Sequence, residues 1–252
     1  MKKVIVLSTI SAVVITAIAN LSRFAIDYSK MLVDAGSLGA FITIFGTLYG
    51  IMMAFIVFEV WNEHAKTSAL IDAEAQACER LYRLMLYFRD DKMTLQIKRA
   101  LEKYMKQVIA DRFQTLGVGK RNDQLSKTFR LISKIIQDVK FDDDHDQIVF
   151  DHVLAQYGTL STIRTERINQ SLMRLPTILR VFVYLSSLIA LLSFVVMPFA
   201  NIGYHLFTVS TLGFILSMII QLIRDLDNPF IGYWNLTTAP FERALDHIEK
   251  NY

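Results

Sequence analysis

The chain has 252 residues, of which 53% are hydrophobic and 20% are charged, and its mean hydropathy is +0.34. The net charge of +3 is too small to favour nucleic acid as a partner. Ordinary soluble domains are about 25% charged and contain only short apolar runs. Three long segments here carry no charged residue: Val4–Ser22, Ala35–Phe58 and Val181–Ile223. The composition therefore excludes a soluble globule and a disordered chain.

These apolar segments predict four transmembrane helices, because about 20 apolar residues are needed to cross a bilayer. The first span could also be a signal peptide, since Lys2 and Lys3 precede it and Ala17-Ile18-Ala19 resembles a cleavage site. We favour a membrane anchor. A turn at Pro198, Asn201 and Gly203 divides the longest segment into two spans. The predicted spans cover residues 4–22, 38–60, 178–198 and 205–223.

Most charged residues lie between Glu63 and Thr177, which contain 19 of the 27 Lys and Arg residues and 16 of the 24 Asp and Glu residues. Loops 23–37 and 199–204 contain few basic residues. The opposite ends of the spans are bordered by Lys2, Lys3, Lys66, Arg174, Arg180 and Arg224. The positive-inside rule therefore predicts that both termini and the charged block are cytoplasmic. The single cysteine, Cys78, suits a reducing compartment.

The charged block has helical periodicity throughout. A helix continues from span two without a Gly or Pro, and further helices are predicted over about 92–115, 122–140 and 145–174. A stripe of small and apolar residues should pack against a neighbouring helix: Ala65, Ala69, Ala73, Ala77, Leu81, Met85 and Phe88. The predicted fold class is an all-α integral membrane protein with four transmembrane helices and a cytosolic helical bundle inserted between spans two and three. The predicted divisions are 1–62, 63–177, 178–224 and a C-terminal tail, 225–252.

The sequence contains no pattern that is typical of an enzyme, a cofactor site or a metal site. His145 and His152 lie two helical turns, or about 10 Å, apart, which is too far for one metal ion. The acidic run Asp142–Asp146 resembles the start of a calcium loop, but Gln147 and Val153 stand where Gly and Glu are needed. An acidic helix N-terminus explains that run better. We therefore predict a non-enzyme without cofactor or metal.

Arginines lead into the third span and allow two interpretations. They could concentrate anions at a cytosolic pore mouth, or they could form the positive-inside flank and salt bridges within the bundle. The second role is the more common one. The residues are Arg164, Arg167, Arg174 and Arg180.

Span two has two unlike faces. At 100° per residue, one face gathers bulky residues and ends in an acidic one, about 27 Å from its start: Phe41, Phe45, Leu48, Met52, Phe55, Ile56 and Glu59. The other face is small, and its residues Gly46, Gly50 and Ala54 predict close helix packing. The bulky face could line a pore, or it could contact lipid or another subunit. Glu59 could form a ring at a pore mouth or lie at the membrane interface.

Short motifs along residues 40–250 resemble the bestrophin-like membrane proteins. They are Leu48-Tyr49-Gly50 with Phe55, Glu74 with Leu81-Tyr82, Leu101 to Tyr104 with Val108, Arg164 and Arg167 with Leu175-Pro176, and Asp227-Asn228-Pro229-Phe230 with Gly232. The last motif is the most specific, and it is similar to the Asn-Pro-Phe-Gly sequence after the last span of true bestrophins.

The resemblance implies a pentameric ion channel with four spans per subunit, a pore lined by span two and a helical cytosolic region. Animal bestrophins bind calcium through acidic residues after this motif, but Ile231–Asn235 contain none, so we expect no calcium gating. The predicted function is an oligomeric ion channel of the bacterial inner membrane, whose partners are other copies of the chain, lipid and inorganic ions. The alternatives are a non-conducting scaffold or sensor and, less favoured, a membrane enzyme.

Overall fold

The computed structural model describes residues 2–25, 35–88, 90–139 and 144–250, and the described residues form helices joined by short turns and loops. They divide into two compact units. The span unit comprises the described parts of Met1–Asn62 and Arg174–Asp227, and the bundle unit those of Glu63–Met173 and Asn228–Tyr252. The helices are α1 (Lys2–Ala25), α2 (Ala35–Met85), α3 (Asp91–Asp111), α4 (Gln114–Gly117), α5 (Asp123–Gln137), α6 (Asp144–Leu172), α7 (Thr177–Val196), α8 (Ile202–Asp227) and α9 (Ala239–Lys250).

Four candidate membrane spans occur among the described residues, which confirms the predicted number of long apolar helices. They lie within Val4–Ser22, Gly36–Phe88, Asp146–Val196 and Ile202–Asp227. The predicted continuity of span two with the following helix is also confirmed, since α2 runs unbroken over 51 residues.

The span unit is held together by α1, α2, α7 and α8. Helix α1 packs along α8, and the approach is close because a Cβ added to Gly213 would lie only 2.8 Å from Ile15 Cδ1. Between the same helices the Gln221 amide donates a 2.8 Å hydrogen bond to the buried Ser8 hydroxyl. A second apolar cluster joins α2 to α7 and α8: Met53, Ile56, Val60, Leu175, Val183, Ile223 and Leu226.

The bundle unit surrounds one large apolar core to which the last part of α2, α3, α5, α6 and α9 all contribute. Local signals set the helix ends. Asp90 caps α3 by accepting from the amides of Lys92 and Met93, and Asn122 caps α5 by accepting from those of Gln124 and Leu125.

The bundle helices differ from the sequence predictions in three places. The helix expected over 92–115 ends at Asp111, because Arg112 and Phe113 take left-handed backbone conformations with φ of 45° and 56°. The segment 225–252, expected as a tail, contains α9, whose Phe241, Ala244 and Ile248 enter the bundle core. In the Ala65–Phe88 stripe, the residues from Ala77 onward are buried, whereas Ala65 and Ala69 are exposed. The expected cap at Asp142 and Asp143 falls outside the described residues.

Candidate functional site

Helix α2 uses one narrow side to pack within the span unit. Met53, Ile56 and Val60 are buried on that side, and the Tyr49 hydroxyl lies 3.0 Å from the Ser187 Oγ of α7. Most other residues of its apolar stretch are exposed in the described part of the protomer.

The predicted bulky face includes both exposed residues and residues that pack within the protomer. Phe41, Leu48, Met52 and Phe55 are exposed, and Phe55 is the most exposed of the four at 66%. Phe45 is half-buried and its ring stacks between those of Phe41 and Tyr49. Ile56 differs from the rest because it is only 4% exposed and belongs to the intramolecular cluster. Ile56 therefore packs within its own protomer and does not lie on the open face where the sequence placed it.

The small face of α2 is open in the protomer. A Cβ added to Gly46 or Gly50 would meet nothing within 4 Å, and Ala54 is exposed. Within the described residues, no other span packs closely against Gly46 or Gly50. In the span unit that role belongs to Gly213 of α8.

Glu59 is exposed at the end of the apolar stretch of α2. It lies one turn beyond Phe55, and the two residues share the exposed side of the helix. A carboxylate in this position is available to mobile ions or to solvent.

Asp227 of the shared motif fixes the end of α8 to the start of α7 within the span unit. Its Oδ1 accepts a 2.5 Å hydrogen bond from the Leu175 amide, and its Oδ2 pairs with Arg180 Nη2 at 3.3 Å. Arg180 Nη2 also donates to the Leu175 carbonyl, 3.2 Å away. Asp227 is therefore a structural clamp around the Leu175-Pro176 step.

The remaining motif residues form a tight turn in the bundle unit. Asn228 accepts from the Phe230 amide and donates to the Gly117 carbonyl, at 3.3 and 3.0 Å. The Phe230 ring is buried against Phe113, with ring centroids 5.1 Å apart. The Pro229 carbonyl accepts from the Leu236 amide at 2.8 Å. Gly232 has a φ of 142°, a conformation that residues other than glycine rarely adopt. These residues shape a turn that completes the core.

A buried charged cluster in the bundle was not predicted as a unit. Glu74 of α2 is fully buried and pairs with Arg167 of α6 through Nε and, at 3.3 Å, through Nη2. The Tyr104 hydroxyl of α3 donates to the same carboxylate. Arg164 Nε donates to that hydroxyl at 3.2 Å, and Arg164 Nη2 donates to Ser126 Oγ at 3.2 Å. The cluster joins four helices around one carboxylate.

The environment keeps this cluster in a defined protonation state. Burial, reinforced by the charge of Glu74, raises the pKa of Tyr104 well above its usual value, so the hydroxyl stays protonated and donates. Burial alone would lower the pKa of Arg167, but the charge of Glu74, together with Tyr104 and the hydrogen bonds to both residues, raises that pKa overall. The ion pair with Glu74 therefore favours the charged guanidinium.

These contacts favour the second interpretation of the arginine set. Arg167 is only 2% exposed and forms an ion pair inside the bundle, while Arg180 pairs with Asp227. Among the residues that the structure describes, no group of three or more His, Cys, Asp or Glu residues is arranged to hold a metal ion. Val153, which stands where a calcium loop needs Glu, lies in the core.

Comparisons with known proteins agree with this architecture. A variant of a bacterial bestrophin homologue from Klebsiella pneumoniae is similar in fold, with a TM-score of 0.67 at 15% identity over 98% of this chain and 97% of that one. Another variant of the same homologue gives a TM-score of 0.69 at 12% identity over 98% of both chains. A structure described as a membrane protein gives 0.67 at 14% identity, covering 98% of this chain and 96% of the other.

The curated proteins include no match to this sequence. A family model, the Bestrophin-like domain, matches residues 5–241. That match covers nearly the whole length, and it includes all four candidate spans and the Asp227–Gly232 motif. The chain therefore belongs to the Bestrophin-like family.

Proposed function

We propose that this protein is the subunit of an oligomeric ion channel of the bacterial inner membrane, with α2 lining the pore. Both termini and the bundle unit would be cytoplasmic, and by the family resemblance the ring would contain five subunits. The observation that carries the proposal is the uncovered surface of α2. Its apolar stretch packs against its own protomer on one side only, although it lies in a chain with three other candidate spans.

The geometry of this surface suits a ring of subunits. The Gly46, Gly50 and Ala54 face allows the backbone of a neighbouring helix to approach closely. The exposed Leu48, Met52 and Phe55 lie on the other side of the uncovered surface, where they can meet their copies around an axis. Apolar side chains at such a constriction stop hydrated ions by dewetting. Glu59 would then place a ring of carboxylates beyond the constriction.

Ion flux into liposomes tests the proposed pore. Met52→Ala and Phe55→Ala should raise the flux several-fold, because each removes apolar volume from the constriction. Phe207→Ala is the matched control, since Phe207 is equally exposed at 67% but lies on α8. Equal flux for the parent protein and for all three variants would place the constriction elsewhere.

Glu59 tests selectivity separately. In a salt gradient, Glu59→Gln should move the reversal potential towards that of the anion, because the carboxylate ring attracts cations. The shift should shrink in high salt, since the screening length falls from about 10 Å at 0.1 M to about 3 Å at 1 M. An unchanged reversal potential at low salt would remove Glu59 from the selectivity mechanism.

The orientation is tested by labelling intact cells from outside. Asn201→Cys, in the uncharged turn between α7 and α8, should react with an impermeant maleimide, and Lys120→Cys in the bundle should not. The opposite pattern would reverse the topology. The scaffold alternative gains if a well-folded oligomer passes no ions, even with its constriction trimmed.

A further inference from the structure

Next to the buried cluster, the bundle unit contains a small cavity lined mainly by α3, α5 and α6. Its volume is about 20 Å³, which exceeds the roughly 10–15 Å³ that one water molecule needs. Three guanidinium groups line it, those of Arg121, Arg164 and Arg167, together with one carboxylate, Asp111. The cavity has no role in the pore that we propose.

Arg167 leaves one nitrogen without a partner beside this cavity. Its Nε and Nη2 bind Glu74, but its Nη1 is buried and has no hydrogen-bond partner among the described residues. The Arg167 side chain is only 3% exposed, so little of it faces bulk water. A buried polar group without a partner is costly, and in native proteins it is normally satisfied by an ordered water or an ion.

The other groups around the cavity determine the charge of a suitable guest. Arg164 binds only neutral partners, the hydroxyls of Tyr104 and Ser126, and its guanidinium carbon lies 4.7 Å from the centre of the Phe129 ring. The Asp111 carboxylate accepts from Thr115 and Asn122 at 2.6 and 3.2 Å, so its charge is already partly satisfied.

Counting Glu74 behind Arg167, three cationic groups face two carboxylates. Arg121 is exposed to solvent, so the charge that matters is that of the half-buried Arg164, for which the structure records no carboxylate partner among the described residues. That charge favours an anion over a water molecule.

The volume restricts the anion to one of small size. A halide is a single atom, whereas sulfate and phosphate have five heavy atoms each, so a cavity of about 20 Å³ favours a halide over these larger anions. Arg121 is exposed at the rim, where it donates to Asn169 Oδ1 at 2.9 Å, so the guest has access from solvent.

We propose that the bundle unit binds one chloride ion in this cavity, held by Arg167 Nη1 and Arg164. The ion satisfies the orphan Nη1 and joins it to Arg164 on the same helix, α6.

The test uses the full-length protein in detergent. At constant ionic strength, replacing gluconate by chloride should raise the melting temperature, by roughly 5–11 °C at 100 times the dissociation constant. Above the dissociation constant the rise should follow the logarithm of the chloride concentration. Bromide should act like chloride, and sulfate should not. Arg164→Gln should abolish the shift, whereas Arg99→Gln, at an exposed position of α3, should preserve it.

A second measurement keeps the proposal falsifiable if Arg164→Gln is poorly folded. Crystals of the parent protein soaked in bromide should show an anomalous peak within hydrogen-bonding distance of Arg167 Nη1. Density for water only, an equal stabilisation by sulfate, or a full chloride shift in a folded Arg164→Gln variant would each overturn the proposal.

Discussion

Replacing one member of the Glu74–Arg167 pair should destabilise the bundle unit far more than replacing both. Arg167→Met leaves a carboxylate that is fully buried without its counter-charge, and Glu74→Leu leaves a guanidinium in the same state. Breaking a buried ion pair in this way costs about 3–5 kcal/mol. For a chain of this size, 1 kcal/mol corresponds to about 2–4 °C in melting temperature, so each single variant should melt roughly 6–20 °C lower.

The double variant Glu74→Leu/Arg167→Met should recover most of that loss. It removes both charges together, and exchanging a buried pair for apolar side chains is often neutral. The Tyr104 hydroxyl loses its acceptor but still accepts from Arg164, so a residual cost of about 1 kcal/mol is expected.

Cys78 provides the assay, because it is the only cysteine in the chain and is fully buried. A fluorogenic maleimide reports the opening of the bundle on heating. Lys106→Met is the control, since the Lys106–Glu249 pair has a good distance of 2.8 Å but is exposed on both sides. Exposed pairs contribute little, so this variant should melt close to the parent protein. Two outcomes would refute the reasoning. Either the losses in melting temperature add in the double variant, or each single variant melts at the same temperature as the Lys106→Met control.

Three further predictions follow from single positions. Gly117→Ala should lower the free energy of unfolding by about 1–3 kcal/mol, because its new Cβ would lie 2.9 Å from Ile231 Cγ1. Gly158→Ala, in an open part of a helix, should stabilise the protein slightly. Equal melting temperatures of the two variants would contradict this. Gly50→Leu should weaken the oligomer in mild detergent without unfolding the protomer, because a Cβ added to Gly50 would meet none of the described residues within 4 Å. An unchanged size-exclusion profile would count against the interface. In the native protein Cys78 should stay unreactive towards maleimide at pH 8, since burial, together with Glu74, raises the pKa of its thiol; rapid labelling would show an open bundle.

The spans and most bundle helices could be predicted from sequence because one-dimensional signals determine them. Apolar runs such as Val4–Ser22 must be helical in a bilayer, where every backbone group has to be satisfied internally. The early end of α3 could not be predicted, because Arg112 and Phe113 adopt left-handed conformations that their residue types disfavour. Their conformation accompanies the burial of Phe113 against Phe230, a contact across more than 100 residues of chain.

The sequence at the start of the C-terminal helix contains a pattern that predicts a helix. Thr238 precedes α9, Pro240 lies in its first turn, and the Thr238 hydroxyl donates to Glu242 Oε1 at 2.8 Å. A capping residue followed by Pro and an acidic residue is typical of a helix start. Phe241 and Ile248 then repeat at helical spacing.

The buried cluster had no comparable signal. Glu74 and Arg167 are 93 positions apart, and in one sequence each resembles an ordinary charge on a helix surface. The same limit applies to Ile56, since periodicity placed it beside Met52 and Phe55 but did not show which side its own protomer covers.

In each unit the first and last segments come together, which affects how the protein folds during synthesis on the ribosome. In the span unit α1 packs on α8. The first span therefore cannot make these contacts until the last span has been synthesised. In the bundle unit, Phe230, Phe241, Ala244 and Ile248 enter a core whose other buried members all precede residue 161. Neither unit can close before its last helix has been synthesised. The nascent chain therefore has unfilled apolar surface until then, and a premature stop after α8 would leave the bundle core open.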